Sequence, residues 1–346
     1  MGHTAEVNRS KLLVIGIVAT IVVLALLGAL WRRDLRCAGF AGPGIDDDEL
    51  PPPAPAGAVR VAHFTLRNFP LDERPEIPGL GYSRRTNICD METVLGGLGA
   101  QIIGFAEVCD TRRFPPILRR SSGSRPMHVL FSEHGGRAGQ HLAIAWDGDA
   151  FELVEGPIEI TEVAVSWDLR PGLAVRLRST FRPTLDLTVI EVHLDAGRDD
   201  VDRRSEQVRA LALWIGDWTA STGDRDIVLL GDFNTVGGPG LTAEDELRQI
   251  DRALAAVGLR RLANATGCSQ YWEGPGVADG IFTASLLDLV YLSGLDADGP
   301  ARSWLHCERA GCGDLASRPG GEDGTFFDVS DHCPVTFEIA RSGGGA

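Results

Sequence analysis

Residues 226–235 read DIVLLGDFNT and residues 330–335 read SDHCPV. The first is an apolar, β-preferring run that closes on Gly231 and then presents a carboxylate at Asp232 and an amide at Asn234. Such a run, bounded by a turn signal, is a buried strand whose end delivers polar groups. The same pattern recurs along the chain: Glu107 follows IIGFA, His193 follows LTVIEV, Asp288 lies inside SLLDLVYL, and Asp331 with His332 precedes CPV. A single strand-ending acid usually caps a turn. Several on one rigid scaffold make a site, because strand ends hold side chains in fixed geometry. Two histidines with several carboxylates suit metal-assisted hydrolysis, with oxygen donors for a hard cation and imidazole for proton transfer.

Working outward from these ends, β-like runs are expected at Val59 to Leu66, Gln101 to Glu107, His141 to Trp146, Ala174 to Leu177, Leu185 to His193, Asp226 to Gly231, Leu287 to Leu292 and Val335 to Ile339. Helices are expected near Asn87 to Leu98, Val201 to Trp218 and Thr242 to Val257. In the second of these, Val208, Leu211, Ile215 and Trp218 form one apolar stripe, with Asp202, Arg203, Arg204 and Glu206 pointing elsewhere. Many short strands with a few long helices predict an α/β fold. It is a four-layer sandwich of two mixed β-sheets packed face to face and flanked by helices, spanning residues 58–341.

The composition permits this. The chain has 346 residues, of which 44% are hydrophobic and 23% charged, values that exclude disorder and allow a sizeable core. Basic residues number 33 against 48 acidic, for a formal charge of −15, which argues against capture of polyanions by bulk electrostatic attraction. A local arginine groove is compatible with that total; Arg112, Arg113, Arg119, Arg120 and Arg125 form a basic run that reads either as a solvated loop or as a track for a phosphate backbone. The seven cysteines lack the paired CxxC spacing of a structural zinc site, and Cys307 with Cys312 encloses a short loop that could bridge in an oxidising compartment.

Leu12 to Trp31 reads LLVIGIVATIVVLALLGALW, without a charge. At 1.5 Å per residue it crosses a hydrocarbon layer of roughly 30 Å, so a single transmembrane helix is expected to precede the sandwich, behind a short tail of residues 1–11. The flanking basic residues are nearly balanced, Arg9 and Lys11 against Arg32, Arg33 and Arg36. The acidic surface and the cysteine loop favour a catalytic domain on the extracytoplasmic side of a single-pass membrane protein. Residues 32–57, rich in Gly, Pro and Asp, are expected to form a tether, and residues 342–346 a flexible C-terminus.

The segments VAHFTLRNF, GFAEVCD, RPGLAVRL, VIEVHLDAG with DRRSEQ, LLGDFNT, SLLDLVYLS and SDHCPV, in this order, resemble the endonuclease/exonuclease/phosphatase superfamily and within it the pancreatic-type deoxyribonuclease branch. The resemblance implies a site. Glu107 resembles the carboxylate that binds a divalent cation, Mg²⁺ or alternatively Mn²⁺ or Ca²⁺, and Asp331 a second metal-side carboxylate. Asp232 resembles the residue that orients or deprotonates the attacking water, and Asn234 an amide ligand of the phosphate. His193 and His332 resemble the histidines flanking the scissile phosphate, with Asp288 orienting His193. Arg67 and Arg170 fall where that branch has arginines facing the phosphate or nucleic-acid backbone.

Two departures stand out. Thr65 occupies the place of a metal-binding asparagine, a shorter and weaker oxygen donor, and Asn68 is three residues further on. Gln140 falls where the branch has a glutamate supporting the C-terminal histidine, so His332 is expected to have a lowered pKa. The functional reading is a membrane-anchored, metal-dependent phosphodiesterase, a DNA or RNA endonuclease by resemblance. Its alternatives are a phosphatase or phospholipase-type phosphodiesterase acting on phosphoinositide or sphingolipid head groups, and a catalytically degenerate binding module. The partners implied are a phosphodiester substrate and, through residues 12–31, a membrane; no protein partner is implied.

Overall fold

The computed structural model describes residues 45–70, 85–272, 281–316 and 324–340. The expected tail, the anchor at residues 12–31, most of the tether and the C-terminus lie outside them. No helix among the described residues is long and apolar enough to cross a membrane.

In chain order the elements are β1 (Val59–Phe69), α1 (Ile88–Gly97), β2 (Ile102–Val108), α2 (Phe114–Ser121), β3 (Met127–Phe131), β4 (His141–Asp147), β5 (Phe151–Ile160), β6 (Gly172–Ser179), β7 (Asp186–His193), α3 (Val201–Thr222), β8 (Ile227–Asp232), α4 (Ala243–Ala255), β9 (Arg260–Arg261), β10 (Gln270–Trp272), β11 (Ile281–Ser285), β12 (Asp288–Ser293), β13 (Arg302–Ser303), α5 (His306–Ala310), β14 (Leu315–Ala316), α6 (Gly324–Asp328) and β15 (Val335–Ile339). They build two six-stranded mixed sheets, β13-β15-β1-β2-β4-β3 and β5-β6-β7-β8-β12-β9, and a small three-stranded sheet, β10-β11-β14.

The two large sheets repeat one plan: a central parallel pair, β1 with β2 or β7 with β8, is joined to an antiparallel neighbour, β15 or β12. Parallel strands bring their C-terminal ends to one rim, and an antiparallel partner brings its N-terminal end to the same rim. That arrangement gathers Glu107, His193, Asp232, Asp288 and the residues just before Val335.

Side chains alternate across each strand. The inward set, including Val61, Ile102, Ile144, Val189, Val228, Leu230, Val290 and Phe337, fills the space between the sheets. On the outer face of the first sheet, Phe64, Ile103 and Phe105 meet Met91, Val94 and Leu95 of α1 and Ile117 and Leu118 of α2. On the outer face of the second, Ile190, Leu229 and Tyr291 meet Val208, Leu211 and Ile215 of α3 and Ile250 and Leu254 of α4. The four-layer sandwich is the expected one. Each fully buried aliphatic side chain contributes about 1.5–3 kcal/mol.

Several details differ from the sequence reading. Arg204 does not point to solvent: it is fully buried, its Nε donating to Glu246 Oε1 at 2.7 Å and its Nη2 to Gly237 O at 3.0 Å. A paired carboxylate and carbonyl acceptors make that burial tolerable. Helix α2 forms inside the segment read as a basic loop; its prolines sit in the first turn, where no intrahelical N–H is needed, and Phe114, Ile117 and Leu118 are buried. There Arg120 pairs with Glu92, and Arg125 Nη1 donates to Ala100 O at 2.8 Å.

Residues 45–57 are not a free tether, because Ile45 and Leu50 pack on the core, Leu305 N donates to Glu49 O at 2.9 Å, and Glu49 pairs with Arg309. Cys307 and Cys312 are not bridged to each other. Instead Cys312 bridges to Cys268 and Cys307 to Cys333, because α5 presents Cys307 to the strand-end segment while Cys312, beyond the helix, faces Cys268.

Candidate active site

Register places the acids before any side-chain geometry is considered. In the second sheet His193 is paired with Asp232, and Asp232 with Asp288. All three share the inward face with Val189, Leu230 and Val290, so the polar groups begin where the apolar alternation ends. Gly231 makes the close approach possible, since a Cβ there would lie 2.1 Å from Val192 O.

Four non-glycine residues at this rim adopt left-handed backbone: Arg67 (φ 43°), Asn68 (φ 54°), Glu107 (φ 62°) and Asn234 (φ 49°). Such conformations cost of order 1–3 kcal/mol each, and they collect where function demands a side-chain direction that a regular strand cannot give.

A cleft of about 380 Å³ is lined by Glu107, His193, Asp232, Asn234, Asp331 and His332, with Arg198, Gln270, Trp272 and Leu287 among its walls. Asp232 is its centre. Its Oδ2 lies 3.4 Å from His193 Nε2 and 3.8 Å from His332 Nε2, and its Oδ1 accepts from the Asn234 backbone N–H at 2.9 Å. The Asn234 amide nitrogen donates to Leu194 O at 3.0 Å, which fixes that side chain across the β7 end. Burial raises the Asp232 pKa to about 6, helped by the charge of Asp288 and opposed by His332.

The two imidazoles are in opposite states. Burial pulls the His332 pKa down, but Asp288 outweighs it through charge and a 2.8 Å Nδ1–Oδ2 contact, lifting it to about 10. His193 is held well below the usual value by burial, then by the Arg170 and His332 charges. Asp288 is correspondingly lowered, the cost of burial being overcome by His332 and His63.

Asp288 orients His332 and His63, not His193, because its register neighbour on β8 is Asp232 and its carboxylate turns toward the first sheet. His332 is raised rather than lowered, and Gln140 does not support it. Gln140 Nε2 donates instead to Glu107 Oε1 at 2.8 Å and Asn68 Oδ1 at 2.9 Å, and its Oε1 accepts from Arg170 Nη1 at 2.7 Å.

Thr65 is fully buried and its hydroxyl donates to Asp288 Oδ1 at 3.0 Å, so it is not placed as a metal ligand. The irregular step between Thr65 and Phe69 carries Asn68 to the carboxylate instead, with Asn68 N–H donating to Glu107 Oε2 at 2.7 Å.

Neither arginine faces the cleft. Arg67 donates to Phe326 O at 2.8 Å and Phe327 O at 2.5 Å. Arg170 donates to His193 O at 2.9 Å and Leu194 O at 3.1 Å. Both act on the site through position and charge.

Glu107 and Asp331 line one side of the cleft, and Asn68 Oδ1, beside Glu107, accepts from Gln140 Nε2 at 2.9 Å. Burial lifts the Glu107 pKa to about 7, and Asp331 adds to the rise. Carboxylate oxygens gathered on one side of a cleft are the donors that a hard divalent cation takes. The residues fit a divalent cation.

Four residues escape a motif reading: His63 and Glu191, paired in the core at 2.9 Å, Ser269, whose Oγ accepts from Asp288 N at 2.9 Å, and Ser330, whose Oγ accepts from His332 N at 3.1 Å and donates to Thr65 O at 2.7 Å. A polar residue at an inward position of an apolar strand marks the first two. Nothing in the sequence marks the serines.

The sequence matches no protein-family model and no curated protein. Solved structures do share its fold. An endonuclease/exonuclease/phosphatase family protein from Bacteroides thetaiotaomicron is 18% identical with a TM-score of 0.52, covering 82% of this chain and 97% of its own. The human Nocturnin catalytic domain with bound sulfate is 16% identical with a TM-score of 0.53, covering 82% and 94%. A B. thetaiotaomicron mannosyl-6-phosphatase is 17% identical with a TM-score of 0.51, covering 82% and 100%.

Proposed function

We propose that the protein is a metal-dependent phosphodiesterase of nuclease type. The observation that carries this is the convergence of Asp232 with one protonated and one neutral imidazole, opposite the Glu107 and Asp331 carboxylates, in a single cleft. A divalent cation bound by Glu107, Asp331 and Asn68 would neutralise charge on the phosphate oxygens.

The chain's own residues supply the rest. Asp232, fixed by the Asn234 N–H, is placed to orient a water and take its proton. His332 keeps Nδ1 on Asp288 and leaves Nε2 for a phosphate oxygen, as a cation should in a site that stabilises developing negative charge. His193 stays neutral at physiological pH, so it can exchange a proton with the leaving oxygen.

A phosphodiester is favoured over a monoester by room on the far side. A second groove of about 550 Å³ shares Arg198, Val236, Trp272 and Ser285 with the cleft and runs on past Leu247, so a group on either side of the phosphorus is accommodated. DNA and RNA are the expected substrates. The second reading, a phosphatase or phospholipase-type enzyme on lipid head groups, is favoured by the apolar walls Val236, Trp272 and Leu287. Anchoring through residues 12–31, with the catalytic domain in an extracytoplasmic compartment, is part of the proposal. The Cys268–Cys312 and Cys307–Cys333 disulfides support an oxidising environment.

The test assays the full-length chain with Mg²⁺ on supercoiled plasmid, bis(p-nitrophenyl) phosphate and phosphoinositides, beside Asp232→Asn. Metal-dependent nicking that the variant lacks is expected. Turnover of lipid head groups without nicking would transfer the function to the second reading, and no turnover of any substrate would leave a binding module.

A further inference from the structure

The inward faces of the two sheets are apolar except along one line that crosses between them. Glu191, on β7 two residues before His193, is fully buried, and its Oε1 lies 2.9 Å from Nδ1 of His63, equally buried on β1. His63 Nε2 lies 2.8 Å from Asp288 Oδ1, and Asp288 Oδ2 lies 2.8 Å from His332 Nδ1. Four ionisable groups therefore run in alternating sign from the core to the cleft. The backbone makes room for this: at Gly104, on β2, a Cβ would stand 1.9 Å from Glu191 Oε2.

A charge pair this deep is a poor stabiliser. Its desolvation often exceeds its Coulomb gain, and apolar residues of similar volume serve a core as well or better. What His63 does do is hold one end of Asp288. With Thr65 Oγ1 donating to the same oxygen at 3.0 Å and Ser269 Oγ accepting the Asp288 N–H at 2.9 Å, it leaves Oδ2 only the direction of His332. Glu191 Oε1 in turn stands 2.9 Å from the other ring nitrogen, an ion-pair contact that holds the imidazole from its far edge.

We infer that His63 and Glu191 are positioning residues of the active site, a buried pair that locks the Asp288 carboxylate and through it aims His332 Nε2 at the phosphate. The inference rests on the hydrolase reading above. It adds two residues outside the cleft whose effect falls on turnover rather than on substrate affinity.

The test measures kcat and KM of the full-length chain with bis(p-nitrophenyl) phosphate and Mg²⁺, with melting temperature beside them. Glu191→Gln and His63→Leu are expected to lower kcat by about 10- to 100-fold, the range for partners one shell removed from a reacting group, with KM unchanged. His63→Gln, whose amide nitrogen still reaches Asp288, should retain more turnover than His63→Leu.

The double variant His63→Leu/Glu191→Leu removes both charges together and guards against a single variant that fails to fold. It is expected to melt near the parent while kcat stays low. Recovery of parental kcat in the double variant, or parental kcat in both Glu191→Gln and His63→Leu, would overturn the inference. Asp288→Asn separates the two levels: if it too turns over at the parental rate, the hydrolase reading of the Asp288–His332 pair has failed, not merely its extension.

Discussion

Replacing Asp288 by asparagine tests the centre of the site. The carboxylate is fully buried and makes two contacts of 2.8 Å to imidazole nitrogens, His63 Nε2 and His332 Nδ1, as well as accepting from Thr65. An asparagine keeps the shape, but it has one acceptor oxygen, and its NH₂ group now faces a ring nitrogen that was donating. One of the two histidines must then lose its proton or turn.

Breaking a buried ion pair by removing one partner costs about 3–5 kcal/mol. If that loss is felt in the transition state, at about 1.4 kcal/mol per tenfold it lowers kcat by roughly 10²- to 10⁴-fold. The assay is steady-state hydrolysis of bis(p-nitrophenyl) phosphate by parent and variant, read beside histidine ¹H–¹⁵N spectra. The His63 and His332 resonances should move most, with a smaller change at His193, on which the Asp288 and His332 charges act. A variant at the parental rate, or a spectral change confined to His193, would refute the placement of Asp288.

Other outcomes follow from the same geometry. Gln140→Leu removes the donor shared by Glu107 and Asn68, so the Mg²⁺ concentration giving half-maximal activity should rise about tenfold. Because a ligand carboxylate must be ionised, and Glu107 titrates at about 7, Mg²⁺ affinity by calorimetry should weaken as pH falls below that value; affinity that is flat from pH 8 to about pH 6 would count against Glu107 as a ligand.

For stability the sign runs the other way. His63 and His332 bind protons more tightly folded than unfolded, each titrating at about 10, so their stabilisation is complete below about pH 6.5 and disappears as pH rises through about 10. The metal-free melting temperature should fall across that window, and a flat profile would contradict the buried pairing. Reduction of Cys307–Cys333, which adjoins His332, and of Cys268–Cys312 should each remove about 2–4 kcal/mol of stability, visible as a lower melting temperature in dithiothreitol.

Much of the fold was legible because inward alternation in strands is a strong periodic signal. β1, β2, β4, β7, β8, β12 and β15 fall where apolar runs end in polar residues. β5 was hidden: FELVEGPIEI carries Glu and Pro, and it is an edge strand with one exposed side, so burial does not write a pattern into it. α2 was hidden by its two prolines, which only position within the first turn makes tolerable. Arg204 was misread because a helical wheel assigns arginine to solvent and cannot see Glu246 arriving from the next helix.

What the sequence determined by itself is the inventory of the site and the strands that carry it. Spacing and strand ends place Glu107, His193, Asp232, Asn234, Asp288, Asp331 and His332 at one rim of a two-sheet sandwich, since parallel and antiparallel neighbours leave few ways to arrange such runs. The partnerships belong to the tertiary structure.

Asp288 turns to His332 and His63, Gln140 to Glu107, Asn68 rather than Thr65 lies against Glu107, and Cys333 meets Cys307 rather than leaving Cys307 to Cys312. The partners lie 26 to 225 residues apart in the chain, and each choice depends on side-chain direction. A left-handed residue at Asn68 or Glu107, or a missing Cβ at Gly104, resets that direction without altering the hydrophobic pattern from which strands are read.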